Sequence, residues 1–233
     1  MLPKTIGIIP DGNRRLAKRL LKEPWKGHEL GVGKLYTVLD WCREAGVSTV
    51  TFYALSLENI QKRPKEELEF LYHLIRKELD AILTDPEHRV HKGQAKLIFF
   101  GHLNLLPEDI QKKIQQVMER TKNHTGSVVN FAMAYGGRQE ILQAAQALAD
   151  QVRTGQIQGI TEESFRKQLQ TNGYEDPELI LRTGGEKRLS NFLPFQSAYA
   201  ELAFIDTLWP DLTKEEFLKV LDDFSNRDRR FGK

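Results

Sequence analysis

Cysteine is almost absent from this chain of 233 residues, where Cys42 stands alone. A single thiol excludes an internal disulfide and any zinc cluster built on several cysteines, and it fits a reducing compartment. Cys42 therefore reads as a buried structural thiol. Charge of one sign is also lacking, because 34 Lys and Arg face 32 Asp and Glu. The summed field gives no pull toward nucleic acid or an anionic surface, so any anion site has to be local. No apolar run approaches the ~20 residues needed to span a bilayer. Neither a Walker-type Gly-Lys loop nor a GxGxxG fingerprint occurs, which disfavours nucleotide chemistry. Met1-Leu2-Pro3-Lys4 leads into an apolar run without the longer apolar segment and cleavage site of a signal peptide, so a cytoplasmic protein is expected.

What is present is a chain that is 40% hydrophobic, long enough to bury a sizeable core as one domain spanning residues 1–233. Short β-rich runs at 5–10, 47–55, 95–101, 127–135, 179–183 and 203–207 predict six strands. Amphipathic patterns near 12–22, 28–45, 64–84, 107–123, 137–153, 161–170 and 213–227 predict helices between them. The last is opened by the capping box Thr213-Lys-Glu-Glu216. This alternation implies an α/β fold with a mostly parallel sheet flanked by helices. On the helix near 64–84, Leu68, Leu71, Leu74, Ile75, Leu79 and Ile82 recur at three- and four-residue spacing, which suits either packing on the sheet or the wall of a lipid-binding cleft. Residues 85–93, 154–159 and 170–177 read as loops.

Two segments carry candidate chemistry. In Ile8-Ile9-Pro10-Asp11-Gly12-Asn13-Arg14-Arg15 an apolar strand ends in a carboxylate and passes into a basic helix start. Such a junction suits a metal-bound diphosphate: the carboxylate can ligate Mg²⁺ and the guanidinium groups can take phosphate oxygens. In Leu181-Arg182-Thr183-Gly184-Gly185-Glu186-Lys187-Arg188-Leu189-Ser190-Asn191 three cations, two glycines and a serine follow a second apolar strand. The glycines permit close backbone approach and the arginines can neutralise a diphosphate. Standing alone, Asp-Gly-Asn is a common turn and a basic loop is commonly just solvated.

Weaker signals are Gly27-His28, Ser56-Leu57-Glu58-Asn59 before Arg63-Pro64, Tyr135-Gly136-Gly137-Arg138, Tyr199-Ala200-Glu201 and Arg229-Arg230-Phe231-Gly232. Taken in order, all these blocks resemble the cis-prenyltransferase family of undecaprenyl- and dehydrodolichyl-diphosphate synthases, over about residues 5 to 232. Arg14 beside Arg15 is nearer the archaeal and eukaryotic pattern than the bacterial one, where Gly usually precedes the arginine. Leu16 replaces a Trp, and Ile60-Gln61-Lys62 adds a residue before Arg63.

The resemblance implies a six-stranded, mostly parallel sheet with an apolar tunnel, usually in a homodimer. It implies a Mg²⁺-dependent transferase that joins isopentenyl diphosphate to an allylic diphosphate. An irregular, branching condensation and a non-catalytic partner subunit are the alternatives. By this likeness Asp11 handles Mg²⁺ and the allylic diphosphate, with Gly12, Asn13, Arg14, Arg15 and His28 around it. Arg182, Arg188 and Ser190 match the isopentenyl diphosphate site, and Glu201 the second metal-associated carboxylate. Ser56, Asn59 and Arg63 match the polar loop flanking the reacting carbons, and Arg230 belongs to a tail near a dimer partner. Ala54, Leu68, Leu71, Tyr72 and Ile75 are expected in the tunnel wall. No nucleic acid is expected as a partner, and release of an apolar product leaves room for peripheral membrane contact.

Overall fold

Runs rich in Ile, Val, Phe and Tyr form six strands in the computed structural model, which describes residues 1–20, 23 and 26–227. They are β1 (Thr5–Ile9), β2 (Thr49–Ser56), β3 (Lys96–Phe100), β4 (Val128–Tyr135), β5 (Leu179–Arg182) and β6 (Glu201–Phe204). The order across the sheet is β3-β4-β2-β1-β5-β6, and every pairing is parallel. β1 is buried along its whole length, as a central strand covered by helices on both faces must be, and its Ile-Gly-Ile-Ile sequence accordingly shows no polar alternation.

The helices are α1 (Asn13–Arg19), α2 (Gly27–Glu44), α3 (Leu57–Lys62), α4 (Lys65–Thr84), α5 (Arg89–Lys92), α6 (Glu108–Thr121), α7 (Gly137–Arg153), α8 (Glu162–Gln168) and α9 (Lys214–Ser225). Short 3₁₀ turns lie at Leu103–Leu105 and Trp209–Asp211. Local chemistry sets several starts. Pro64 and Pro107 precede α4 and α6. The Thr213 hydroxyl accepts the Glu216 N–H at 3.2 Å while the Glu216 carboxylate accepts the Thr213 N–H at 3.1 Å, which completes the expected capping box.

Strand alternation divides the core between the two faces of the sheet. Phe52 joins a large cluster with Val38, Leu79, Phe99, Trp209 and Phe217. Its neighbour Tyr53 joins a smaller one with Ile9, Tyr135, Ile180 and Phe192, as period-two side chains require. Each fully buried Leu, Ile or Phe contributes about 1.5–3 kcal/mol. Cys42 is 2% exposed within the larger cluster, as expected.

Four elements depart from expectation. The last strand runs Glu201–Phe204 rather than 203–207, because the carbonyls of Ile205 and Thr207 accept the N–H groups of Gly185 and Gly184 at 2.8 Å each. Those carbonyls serve a turn instead of a ladder. A short helix, α5, stands inside the expected loop 85–93. Helix α3 went unforeseen because its six residues, between the Ser56 cap and Arg63, are too few to show a period. Helix α1 ends at Arg19, short of the expected 12–22, of which 21 and 22 lie outside the described residues.

Candidate active site

β1 and β5 are neighbours, yet β1 leads on to β2 on one side and β5 to β6 on the other. Open α/β sheets bind ligands at such a reversal, beyond the carboxyl ends of the strands. Ile9 is in register with Arg182, so Asp11 and Thr183 leave the sheet side by side. The Thr183 hydroxyl accepts the Asp11 N–H at 3.0 Å and donates to the Asp11 carbonyl at 2.7 Å. The Trp209 N–H donates to the same carbonyl at 2.9 Å. The backbone of Asp11 is thus fixed while its carboxylate stays a third exposed.

That carboxylate joins the two candidate segments. Asp11 Oδ2 accepts from Arg182 Nη2 at 2.9 Å, and Arg15 Nη2 lies 3.5 Å from Oδ1. The Arg182 residue is 4% exposed. Its Nη1 donates to the Ser190 hydroxyl at 2.7 Å and to the Arg188 carbonyl, while its Nε is buried without a protein partner. Gly184 is required here: at φ 83° an added Cβ would sit 2.4 Å from Arg15 Nη2, so any side chain would displace that guanidinium. Ser190 and Asn191 both hold positive φ, 51° and 70°, a conformation that surrounding contacts must impose. The Asn191 amide does so by donating to Glu58 at 2.8 Å and to Gln139 at 3.2 Å and by accepting the Arg138 N–H at 2.8 Å.

A second group of cations gathers on Glu67, in the first turn of α4 and 1% exposed. Its Oε1 accepts from Arg63 Nη1 at 2.9 Å and lies 3.3 Å from His28 Nε2 and 3.7 Å from Arg14 Nε. Burial first, then the Arg63 charge, lowers the His28 pKa to about 4, so this imidazole is neutral at pH 7. Arg63 is likewise shifted downward, chiefly by burial. Gly27 lets α2 reach this place, since a Cβ there would meet the Asn13 carbonyl at 1.9 Å. Ser56 Oγ accepts the Asn59 N–H at 3.0 Å, which caps α3 and holds the loop leading to Arg63.

Beneath both groups an apolar cavity of about 190 Å³ runs between the sheet and helices α2 and α4. Pro10, Asn13 and His28 stand at its polar end. Phe52, Phe99, Phe131 and Met133 form much of the sheet wall, and Val32, Leu35, Leu71 and Ile75 face them from the helices. Ala54 is exposed although it belongs to a central strand, because its side chain opens on this space.

Residues 9–232 match a family model described as putative undecaprenyl diphosphate synthase. The chain belongs to that family. It is 45% identical over its full length, and over 85% of the relative's, to a tritrans,polycis-undecaprenyl-diphosphate synthase (geranylgeranyl-diphosphate specific) of Methanopyrus kandleri. An isoprenyl transferase of Thermus thermophilus is 41% identical, with 100% of this chain and 89% of that protein covered. Among solved structures, lavandulyl diphosphate synthase from Lavandula x intermedia, in complex with dimethylallyl diphosphate, superposes with a TM-score of 0.92 at 31% identity, covering 100% of this chain and 99% of the other. A probable undecaprenyl diphosphate synthase from Campylobacter jejuni gives 0.81 at 35% identity, with the same coverage.

Against the family resemblance, the fold brings Asp11, Gly12, Asn13, Arg15, Arg182 and Ser190 together, and collects Arg14, His28 and Arg63 one helical step away. Ser56 and Asn59 lie at the start of α3 beside them. Arg188 contributes its carbonyl to Arg182, while its exposed guanidinium pairs with Glu186. Glu201 is not brought to Asp11 within the chain. It opens β6 in register with Leu179 and hence Ile6, five residues short of Asp11 and about 16 Å away along the strands, and its carboxylate pairs with Arg227. Arg230 lies outside the described residues. In the cavity wall, Ala54, Leu71 and Ile75 are present as expected; Tyr72 is buried in the core instead, and Leu68 packs partly buried against the core outside the cavity lining. Glu67 and Thr183, which position the site, were not singled out from the sequence.

Among the described residues no three His, Cys, Asp or Glu side chains converge as a metal cage. The partly exposed Asp11 carboxylate nevertheless fits Mg²⁺, which keeps several waters and commonly binds through one or two carboxylates and substrate phosphates.

Proposed function

We propose that this chain condenses isopentenyl diphosphate with an allylic prenyl diphosphate to give a cis-polyprenyl diphosphate and free diphosphate. The observation that carries this reading is the 2.9 Å contact of Asp11 with Arg182, at the sheet's switch point and above an apolar cavity. It sets one carboxylate between two groups of cations, so that two diphosphates can be held within reach of each other.

Arg15, Arg14, Arg63 and neutral His28 receive the allylic diphosphate, whose C1–O bond breaks. Arg182, Ser190 and Arg188 hold isopentenyl diphosphate, whose double bond forms the new bond to C1 before a proton leaves C2. Positioning and charge stabilisation supply the rate, because the protein provides fixed donors where charge accumulates. Asp11 would hold a bound Mg²⁺, which would supply further positive charge for the leaving diphosphate. The hydrocarbon tail lies in the cavity under α2 and α4. The apolar product leaves the protein by peripheral contact with a membrane surface; no helix among the described residues is long and apolar enough to cross a membrane. The proposal includes a homodimer: β6 is an edge strand bearing the 38%-exposed Leu202, and open edges are commonly covered. Glu201 then serves the neighbouring protomer's site, while Arg230, expected near a dimer partner, lies outside the described residues.

Incubating the pure chain with Mg²⁺, isopentenyl diphosphate and allylic primers of graded length, followed by mass and NMR analysis, tests the reading. Growth in five-carbon steps with diphosphate release is expected; folded protein that forms no product would refute it. The close superposition on lavandulyl diphosphate synthase favours one second reading, irregular condensation. A branched product from dimethylallyl diphosphate alone would select it.

A further inference from the structure

The deep part of the cavity carries polar groups in its wall. Tyr36 on α2 and Glu78 on α4 both line it, and His88, just before α5, reaches them from behind. The Tyr36 hydroxyl donates to Glu78 Oε1. His88 Nε2 lies 3.2 Å from the same oxygen and 3.5 Å from the Tyr36 hydroxyl. His88 Nδ1 accepts the Val90 N–H at 3.3 Å, so the ring proton sits on Nε2 and is donated to the carboxylate. The Tyr36 and His88 rings meet edge-on with centroids 5.6 Å apart, and the Arg89 guanidinium lies 5.8 Å from the Tyr36 ring centre. Burial, then Glu78, raises the Tyr36 pKa, so the phenol keeps its proton.

Two helices place this clasp independently. Tyr36 follows His28 by eight residues on α2, about 12 Å of helix, and Glu78 follows Glu67 by eleven on α4, about 16 Å. Both measure depth from the cation group at the cavity's mouth. The apolar wall continues one turn further, at Leu39 and Ile82. Hydrocarbon advancing along α2 and α4 therefore meets hydrogen-bonded polar groups before the cavity ends. Passing them would break hydrogen bonds to the Glu78 carboxylate, a less favourable event than the rotamer change that lets a methyl-lined wall yield.

We propose that the Tyr36–Glu78–His88 clasp closes off the last turn of the prenyl cavity and so sets the length at which chain growth stops. The inference rests on the elongation activity proposed above. The test compares product lengths from wild type, Glu78→Ala, Glu78→Gln and Tyr36→Phe, each first checked for folding by thermal melt, with the same primer and excess isopentenyl diphosphate. Glu78→Ala should move the main product longer by at least one five-carbon unit, Glu78→Gln, which retains size and an acceptor, should stay near wild type, and Tyr36→Phe should broaden the distribution upward. If Glu78→Ala fails to fold, the Tyr36→Phe distribution decides. Wild-type lengths from folded Glu78→Ala and Tyr36→Phe would overturn the clasp and leave the elongation reading intact. A wild-type chain that makes no product at all would overturn the elongation reading, and the clasp's role with it.

Discussion

Replacing Glu67 by Ala removes the carboxylate on which Arg63, His28 and Arg14 converge. The magnitude follows from burial. Glu67 is 1% exposed and Arg63 17% exposed at the side chain, so the variant strands a largely desolvated guanidinium whose other neighbour, His28, is neutral. Breaking a buried pair in this way costs about 3–5 kcal/mol. Arg14 adds little, since its side chain is 53% exposed and stands 3.7 Å away. For a chain of this size each kcal/mol lowers Tm by about 2–4 °C, so a fall of roughly 6–20 °C is expected. Inorganic diphosphate, by supplying the missing negative charge, should raise the variant's Tm by more than it raises that of wild type. Glu67→Gln, which keeps an acceptor for Arg63, should lie between the two. Thermal melts followed by circular dichroism, with and without diphosphate, measure all of this. A loss below about 1 kcal/mol, with no extra response to diphosphate, would refute the view that Glu67 is the buried anchor of these cations.

Three other outcomes are expected. The His28 pKa of about 4 lies below its ordinary 6.5, so the unfolded chain binds a proton that the folded one refuses; this contribution to stability is complete above about pH 6.5 and is lost as pH falls toward 4, and His28→Gln should flatten that part of a stability–pH curve from chemical denaturation. Gly184→Ala, at φ 83°, should cost about 1–2 kcal/mol in the same measurement and weaken binding of the allylic substrate through Arg15. Ala54→Leu should shorten products, and an unchanged chain-length distribution would contradict its place in the cavity wall.

The frame of the site was legible because strand ends are local events. Ile8-Ile9-Pro10-Asp11 and Leu181-Arg182-Thr183 each switch from apolar to polar where the strand leaves the core, and a parallel sheet necessarily puts both switches on one edge. Glu67 was not legible: a carboxylate in a first helical turn reads as a partner of the helix dipole, and only the approach of α1 and α2 turns it into an anchor. Thr183 looked like one more β-branched strand residue, and its two hydrogen bonds to Asp11 exist only because β5 lies next to β1. The end of β6 was misplaced since Ile205 and Thr207 continue the apolar pattern, while the partner of their carbonyls is a glycine turn twenty residues away in sequence. Glu201 was given its role by resemblance, and strand register alone shows that it opens β6 at the opposite end of the sheet. Tyr36, Glu78 and His88 carried no joint signal, being brought together only where α2, α4 and the start of α5 meet at the cavity wall.

Steady-state turnover of Asp11→Asn against wild type shows whether the Asp11 charge is what makes the site work, because the amide keeps the shape of the side chain and removes the charge that joins Arg15 to Arg182. A folded variant with turnover lower by about a hundredfold or more is expected. Turnover close to that of wild type would contradict it.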